Sequence, residues 1–568
     1  MTNWNWKMWL RWLLVTVALY VKCVYVSRMV DIPYELFPNL AAAMLVALPV
    51  IWTKRKYIVW LVLGIVDIWL ITNVVYFRAY HLFLTWHLIS FATNISGFES
   101  SITPYLDWKL LWLVSISLIA LPSMFLSLRR GGWRDNAMIL LLCVICSLIG
   151  SVLRWHRFGK PAEEQLTWEW INPCRVPQAL SEGKWCAERQ VIKFITHRSI
   201  LSYPLYMAND AFSTYQRKGK APELTQEEEQ ELAKLIGPKV PAQPVSGNLV
   251  LILLESFESW LLEMNDADGN PVCPNICSFM NSRPVLYVKN MDSQIRYGQS
   301  GDGQMIVNTG LFPTIDGVAC MDYGYNPYPN YAHFYPRNAI INPCRNVWNK
   351  NAVTRSYGYQ RLIEPETDRM DEWTDSIVID KTIEALNTIP RPCCIMSLSI
   401  SMHSPFNNRR DDIPMDEDIP VLFQNYMRSA HYTDRHVGRL LAWADTAQVM
   451  QDAVIVITSD HRVFHAHMSE EIREYGLRAN LPFGRGPASI PLVIAAPSIE
   501  ETRIVERGAQ VDVFSSIMHV IGQKEYYWKG LGHDLMEEPT SSEEEKALRQ
   551  SLGDKLIRMN YFEQYEQK

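Results

Sequence analysis

Four places in the sequence put a chemically competent side chain just after a short apolar run or inside a glycine-rich turn. Glu255 follows NLVLILL (248–254), Asp460 and His461 follow AVIVITS (453–459), and His403 follows CCIMSLSIS (393–401) within SMHSPF. Ser300 sits in RYGQSGDGQM (296–305), three of whose ten residues are glycine. Two carboxylates and an imidazole at one edge of a sheet form a donor set for a divalent cation with mixed oxygen and nitrogen ligands. The stretch after Ser300 has a helical pattern from about Gly301 to Leu311. Its hydroxyl therefore falls at or just before a helix N-terminus, where the dipole and backbone N–H groups favour anions. A metal-ligated hydroxyl there ionises near neutral pH and can attack phosphorus. Each residue also has an ordinary reading: a Glu at a strand end caps a helix, Asp-His makes a surface turn, and Ser300 is a plain N-cap. Coincidence at three strand ends favours a site; for the serine alone the two readings balance.

The elements that must position these groups can be read from the same runs. NLVLILL, CCIMSLSIS, AVIVITS and IPLVIAAP (490–497) are short, continuously apolar and bounded by polar residues or proline, as strands buried on both faces are. Helical patterns separate them, including DSIVIDKTIEALN and FQNYMRSAHYTDRHVGRLLAWADT. The alternation predicts an α/β domain with a central, mainly parallel sheet and helices on both faces, in which ligands lie beyond the carboxyl ends of the strands.

The rest of the 568-residue chain is divided sharply in composition, although its mean hydropathy is only -0.07. Stretches near 9–27, 38–53, 57–77, 108–127 and 137–153 read as five membrane-spanning helices, the second and fifth being short for the purpose. Lys54-Arg55-Lys56 and Arg129-Arg130 with Arg134 fall in loops after the second and fourth, which places the N-terminus in the cytoplasm and everything after the fifth outside. Arg154, Arg157 and Lys160 run against that rule. The expected organisation is a membrane domain to 155, a helical connector 156–244 with a helix start at Thr225, a catalytic domain 245–535 and a tail 536–568. A net charge of -6 without a long basic run gives no reason to expect nucleic acid as a partner. Eight of the eleven cysteines lie in the part placed outside, where disulfides form; Cys174 with Cys186 and Cys273 with Cys277 are the local pairings, while Cys393-Cys394 also reads as buried strand thiols.

NLVLILLESFESW, GQSGDG…NTGLFP, MHSPF and VITSDH, in this order after five predicted spans, resemble the lipoteichoic acid synthase family of the alkaline phosphatase–sulfatase superfamily. The likeness covers the membrane part in layout and roughly 245–535 in motif order. It implies an extracytoplasmic domain that transfers phosphoglycerol from a phospholipid donor to a glycan or polyol acceptor through a covalent phospho-enzyme. It also implies one divalent metal, manganese before magnesium or zinc. Glu255, Asp460 and His461 match the family's metal ligands, and Ser300 falls on its nucleophile, a threonine in relatives. His403 matches the histidine that contacts the phosphoryl or head group. VWNKN resembles the family's Trp-Asn-Arg-Asp and places Trp348 and Lys350 at the head group, with lysine where a forked arginine is usual. His465, His467 and Asp302 are candidates for supporting or acid–base roles. Two related activities compete: phosphoethanolamine transfer to lipid A or another glycan, and sulfatase-type hydrolysis. Ser300 lacks the following x-Pro-x-Arg that sulfatases need. A catalytically silent scaffold is disfavoured by the retained Glu255, Ser300, Asp460 and His461.

Overall fold

The computed structural model describes residues 6–52, 54–80, 83–87, 103–126, 133–159, 172, 187–218, 220–238, 243–343, 348–365, 374–404, 406, 413–463, 470–481, 488–537 and 543–566. The chain forms two compact units, Met1–Gly219 and Lys220–Lys568, so contacts divide at 219/220 where composition divides near 155 and 245.

Among the described residues of the first unit three helices are long and apolar enough to cross a membrane: Trp6–Met29, Tyr57–Arg78 and Trp133–Phe158. Five were expected. The fifth candidate is longer than its composition suggested, while the second and fourth correspond to shorter apolar helices, Leu36–Val50 and Trp108–Ser123. Proline explains the shortening. It lacks an N–H and clashes with the preceding turn, and Pro49 and Pro122 both lie where α-helix has given way to a 3-10 turn.

Polar contacts mark the two ends of this helix group. Trp9 Nε1 donates to Asp135 (3.1 Å), Arg11 to the Arg55 carbonyl (2.8 Å) and Trp52 Nε1 to Asn136 (3.0 Å) at one end. Tyr25 donates to the Lys109 carbonyl (3.2 Å), Arg78 pairs with Asp107 (3.2 Å) and Arg154 pairs with Glu35 (3.0 Å) at the other. Arg154, one of the three charges that ran against the orientation rule, is therefore buried and neutralised. Between the ends, Lys22 is fully buried and ion-paired with Asp67, whose other oxygen accepts from Ser117 (3.2 Å).

Among the described residues of the second unit eight strands form one sheet: β1 (Leu249–Leu254), β2 (Leu286–Asp292), β3 (Arg337–Ile341), β4 (Arg361–Ile363), β5 (Cys393–Leu398), β6 (Val454–Ser459), β7 (Ile490–Ala495) and β8 (Arg503–Ala509). Their order is β4-β3-β5-β1-β6-β7-β2-β8. All neighbours are parallel except β7, which runs opposite to both β6 and β2. Side chains alternate across a sheet. Val250, Ile252 and Leu254 share one core with Phe279, Leu386, Phe423 and Leu440 from flanking helices, while Leu249, Leu251 and Leu253 are equally buried on the other face.

Thr225 caps the helix Gln226–Leu235 through a reciprocal box with Glu228. The C-terminal helix Glu543–Arg558 joins it through Lys555 on Glu228 and Arg549 on Glu231 (2.8 Å) and buries Leu552, Leu556 and Ile557. Cys273 and Cys277 are free thiols, contrary to the pairing read from their spacing: Cys277 Sγ donates to the Leu262 carbonyl (3.4 Å), and both begin one helix, Pro274–Asn281. Cys393 and Cys394 are buried and free on β5. Cys174, Cys186 and Cys344 lie outside the described residues.

Candidate active site

The parallel strands deliver the expected residues to one edge. Glu255 follows β1, whose partner β6 is in register to Leu254↔Ser459, so Asp460 emerges beside it. Asp460 Oδ1 accepts from the backbone N–H of Ser256 (2.8 Å) and of His461 (2.7 Å), which fixes the carboxylate and leaves Oδ2 toward the site. His461 Nδ1 faces the Arg462 carbonyl at 3.0 Å. A carbonyl only accepts, so Nδ1 carries a proton and Nε2 is the nitrogen offered to the site, a common arrangement for a metal-binding imidazole. Nε2 lies 3.4 Å from Glu255 Oε1 and 3.7 Å from Asp460 Oδ2.

Ser300 completes the group. Its Oγ donates to Glu255 Oε2 (3.2 Å) and lies 3.3 Å from His461 Nε2. It occupies the first turn of the helix Gln299–Thr309, two residues earlier than the start read from sequence. The backbone is strained beside two of these residues: Gln299 before Ser300 has φ +43° and Ser256 after Glu255 has φ +54°. Non-glycine residues in that region cost roughly 1–3 kcal/mol and concentrate at functional sites.

The glycines around Ser300 have a different role from the one their flexibility suggests. Glycines in such a turn leave room for a phosphate to reach the backbone; here protein fills that room instead. A Cβ on Gly298 would stand 2.1 Å from Asp302 Oδ1, one on Gly301 3.1 Å from the Trp348 ring, and one on Gly303 2.2 Å from the Asp460 carbonyl. Asp302, buried, accepts from the N–H of Arg296 (2.8 Å) and Gly298 (2.9 Å) and so clamps the turn ahead of Ser300.

His403 sits in the loop after β5. Asp375, a residue the sequence did not single out, holds that loop by accepting from Ile400 N–H (2.7 Å), Ser401 N–H (3.1 Å) and Thr433 Oγ1 (2.7 Å). The imidazole Nδ1 is anchored on the Ser404 carbonyl (2.7 Å). Trp348 and Asn349 both have left-handed backbone, φ +55° and +53°. Lys350 is buried with its ammonium paired to Glu364, which follows β4. His465 and His467 lie outside the described residues.

Two further residues brace the site. Gln510, after β8, donates Nε2 to the Asp460 carbonyl (2.6 Å) and accepts from Gln294 N–H (3.1 Å); Gln294 in turn accepts from Val511 N–H (2.9 Å). Glu258 accepts from Trp260 Nε1 (2.6 Å) and Val463 N–H (2.7 Å), fixing the chain beyond His461. Gln510 carries no motif, since it works through backbone carbonyls; Glu258 lay within ESFESW.

Electrostatics agree with a cation site. Burial alone would raise the Glu255 carboxyl, but the hydrogen bond and charge of His461, with the charge of His403, hold it down at about 2. Burial and then the Glu255 charge push Asp460 up to about 7. Burial would lower His461, but Asp460 and Glu255 outweigh it and push the imidazole up to about 10. Asp460, buried beside the Glu255 charge, holds its proton more tightly than a free carboxyl, and a divalent cation would relieve the same crowding. Ligand atoms of Glu255, Asp460 and His461 lie within 4.8 Å of one another, and all three residues are buried.

Residues 3–158 match the family model "Lipoteichoic acid synthase N-terminal domain" and residues 319–523 match "Sulfatase". Lipoteichoic acid synthase 1 of Bacillus subtilis is 22% identical over 314 residues, 51% of this chain and 48% of that one. Lipoteichoic acid synthase of Staphylococcus saprophyticus is 20% identical over 501 residues, 82% of this chain and 73% of that one. The chain thus spans about half the length of the Bacillus relative. Among solved structures, lipooligosaccharide phosphoethanolamine transferase A from Neisseria meningitidis superposes with TM-score 0.51 at 13% identity, covering 92% of this chain and 96% of that one, a likeness of fold.

Proposed function

We propose that this chain, a lipoteichoic acid synthase-like member of the alkaline phosphatase/sulfatase superfamily, is a membrane phosphotransferase that moves a phosphoglycerol head group from a phospholipid to a glycan or polyol acceptor outside the membrane. The observation that carries the reading is Ser300 Oγ, held at a helix N-terminus within 3.3 Å of both Glu255 and His461.

Glu255, Asp460, His461 and the Ser300 oxygen would hold one divalent cation, manganese before magnesium or zinc. When bound it favours ionisation of the hydroxyl and offsets phosphoryl charge. In the first step Ser300 Oγ attacks the lipid phosphorus, the bond to the diacylglycerol oxygen breaks, and that oxygen takes up a proton. In the second the acceptor hydroxyl attacks phospho-Ser300, the Oγ–phosphorus bond breaks, and the proton passes to Ser300. The helix N-terminus stabilises negative charge at Ser300 in both steps. Asp375 keeps the His403 loop in place, and His403, whose charge is felt at Glu255, would steady the phosphoryl oxygens. Trp348, packed on the Gly301 side of the nucleophile, would line the head-group pocket. Lys350 would act there as half of an ion pair with Glu364. Alternation of helix ends from Trp9 to Arg154 supports five traverses, with the N-terminus in the cytoplasm and the Lys220–Lys568 unit outside.

The test is to incubate the full chain separately with labelled phosphatidylglycerol and phosphatidylethanolamine, then look for diacylglycerol and for mass on Ser300. Phosphoglycerol on Ser300, absent in Ser300→Ala, is expected. Adduct from phosphatidylethanolamine alone would replace the donor; full activity in Ser300→Ala would overturn the mechanism.

A further inference from the structure

The helix Tyr203–Lys218 turns apolar residues outward as well as inward, where Tyr203, Tyr206 and Met207 pack in the core of its unit. Asp210 is turned into its own unit, where the carboxylate accepts from Trp86 Nε1 (2.8 Å) and lies 3.5 Å from His87 Nε2. Thr214 is buried as well. The exposed large apolar residues are Leu205, Phe212 and Tyr215, at 54%, 61% and 78%, with polar Gln216 and Arg217 exposed after them at the C-terminal end. At about 100° per residue the three apolar residues fall within one face. A helix bathed by water keeps its carboxylates and other polar groups, not large apolar side chains, on the outer face.

The start of this helix is fastened among the apolar helices. Tyr203 is fully buried and donates to the Leu84 carbonyl (3.0 Å), and Trp69 Nε1 donates to the Ile200 carbonyl (3.0 Å). Trp69 lies on the candidate span Tyr57–Arg78, and a rise of about 1.5 Å per residue puts it about 13 Å before Arg78. Ile200 therefore docks within the length of that helix. The same helix turns Ile65 and Ile68 outward, 59% and 71% exposed.

We propose that Tyr203–Lys218 lies on the bilayer, with Leu205, Phe212 and Tyr215 seated at the boundary of acyl chains and head groups. The helix is fastened to a candidate span whose own outward residues, Ile65 and Ile68, are apolar, and the lipid around that span selects lipid over a second copy of the chain. Tyrosine suits that boundary, since its ring is apolar and its hydroxyl reaches water. The proposal needs only a membrane setting and is independent of the donor lipid.

The test places p-benzoylphenylalanine at Phe212 in the full chain in native membranes and, in separate preparations, at Tyr215 and at Ile68 as a lipid-facing reference. After irradiation, mass spectrometry should find lipid adducts at all three. Adducts at Ile68 with only protein adducts, or none, at both Phe212 and Tyr215 would overturn the proposal. Absence of lipid at Ile68 as well would remove the membrane surface on which it rests.

Discussion

Gly303 separates a positional account of this site from a purely chemical one, because it touches no reacting atom. A Cβ at this position would stand 2.2 Å from the Asp460 carbonyl, and since such contacts do not close below 3.0 Å, Gly303→Ala must separate the nucleophile helix from the β6 loop by about 0.8 Å. Asp460 is backed by Gln510, so the helix is the freer partner, and Ser300 moves with it. A displacement near 1 Å costs on the order of 10²-fold in rate when geometry is the source of catalysis. Alanine also returns roughly 1 kcal/mol of helix propensity, which partly offsets an overpacking strain of about 1–3 kcal/mol. The variant should therefore fold, melt within a few degrees of the parent, and release labelled diacylglycerol on the order of 10²-fold more slowly. Gly64→Ala, in a helix with nothing within 4 Å of the new Cβ, is the control. Unchanged melting together with a rate within about threefold of the parent would refute the argument that close helix approach sets the nucleophile.

Gln510→Glu replaces the N–H facing the Asp460 carbonyl by an acceptor; cation affinity measured by calorimetry should fall roughly 10–100-fold, and Gln510→Asn should recover part of it. His436 sits in the helix Val421–Thr446, where burial and the nearby charges of Arg435 and Arg439 push its pKa down to about 4 from 6.5. The unfolded chain then binds the proton first, so stability is full above about 6.5 and declines as pH falls toward 4; thermal melts of His436→Gln should lose that part of the decline. Lys22→Met strands Asp67 in the interior and should lower stability in detergent by about 3–5 kcal/mol, with Lys22→Met/Asp67→Leu recovering much of it.

What could be read from the sequence follows burial. β1, β5, β6 and β7 are buried along their whole length and read as continuous apolar runs, so the strand ends carrying Glu255, Asp460 and His403 were found with them. β2 alternates with polar residues, β8 is a largely exposed edge and β4 has three residues; none offers a pattern distinct from loop. Ser300 was found because glycines crowd it, yet those glycines are explained only by the atoms packed against them. Gln510 and Asp375 act on backbone groups distant in sequence, a relation that leaves no local trace.

The reversed direction of β7 has a consequence at the site edge. Strands lie about 4.8 Å apart, so turning one of them around leaves an opening near 10 Å wide between the outgoing ends of β6 and β2, crossed by the chain that enters β7 at Ser489, which holds Ser259 N–H and Asn290. Asp460 leaves from one lip of that opening, and the connector to Ser300 leaves from the other. The helix carrying Ser300 approaches from the second lip closely enough for Gly303 to rest on the carbonyl of Asp460. A strand that contributes no residue to the chemistry thereby acts as its mould.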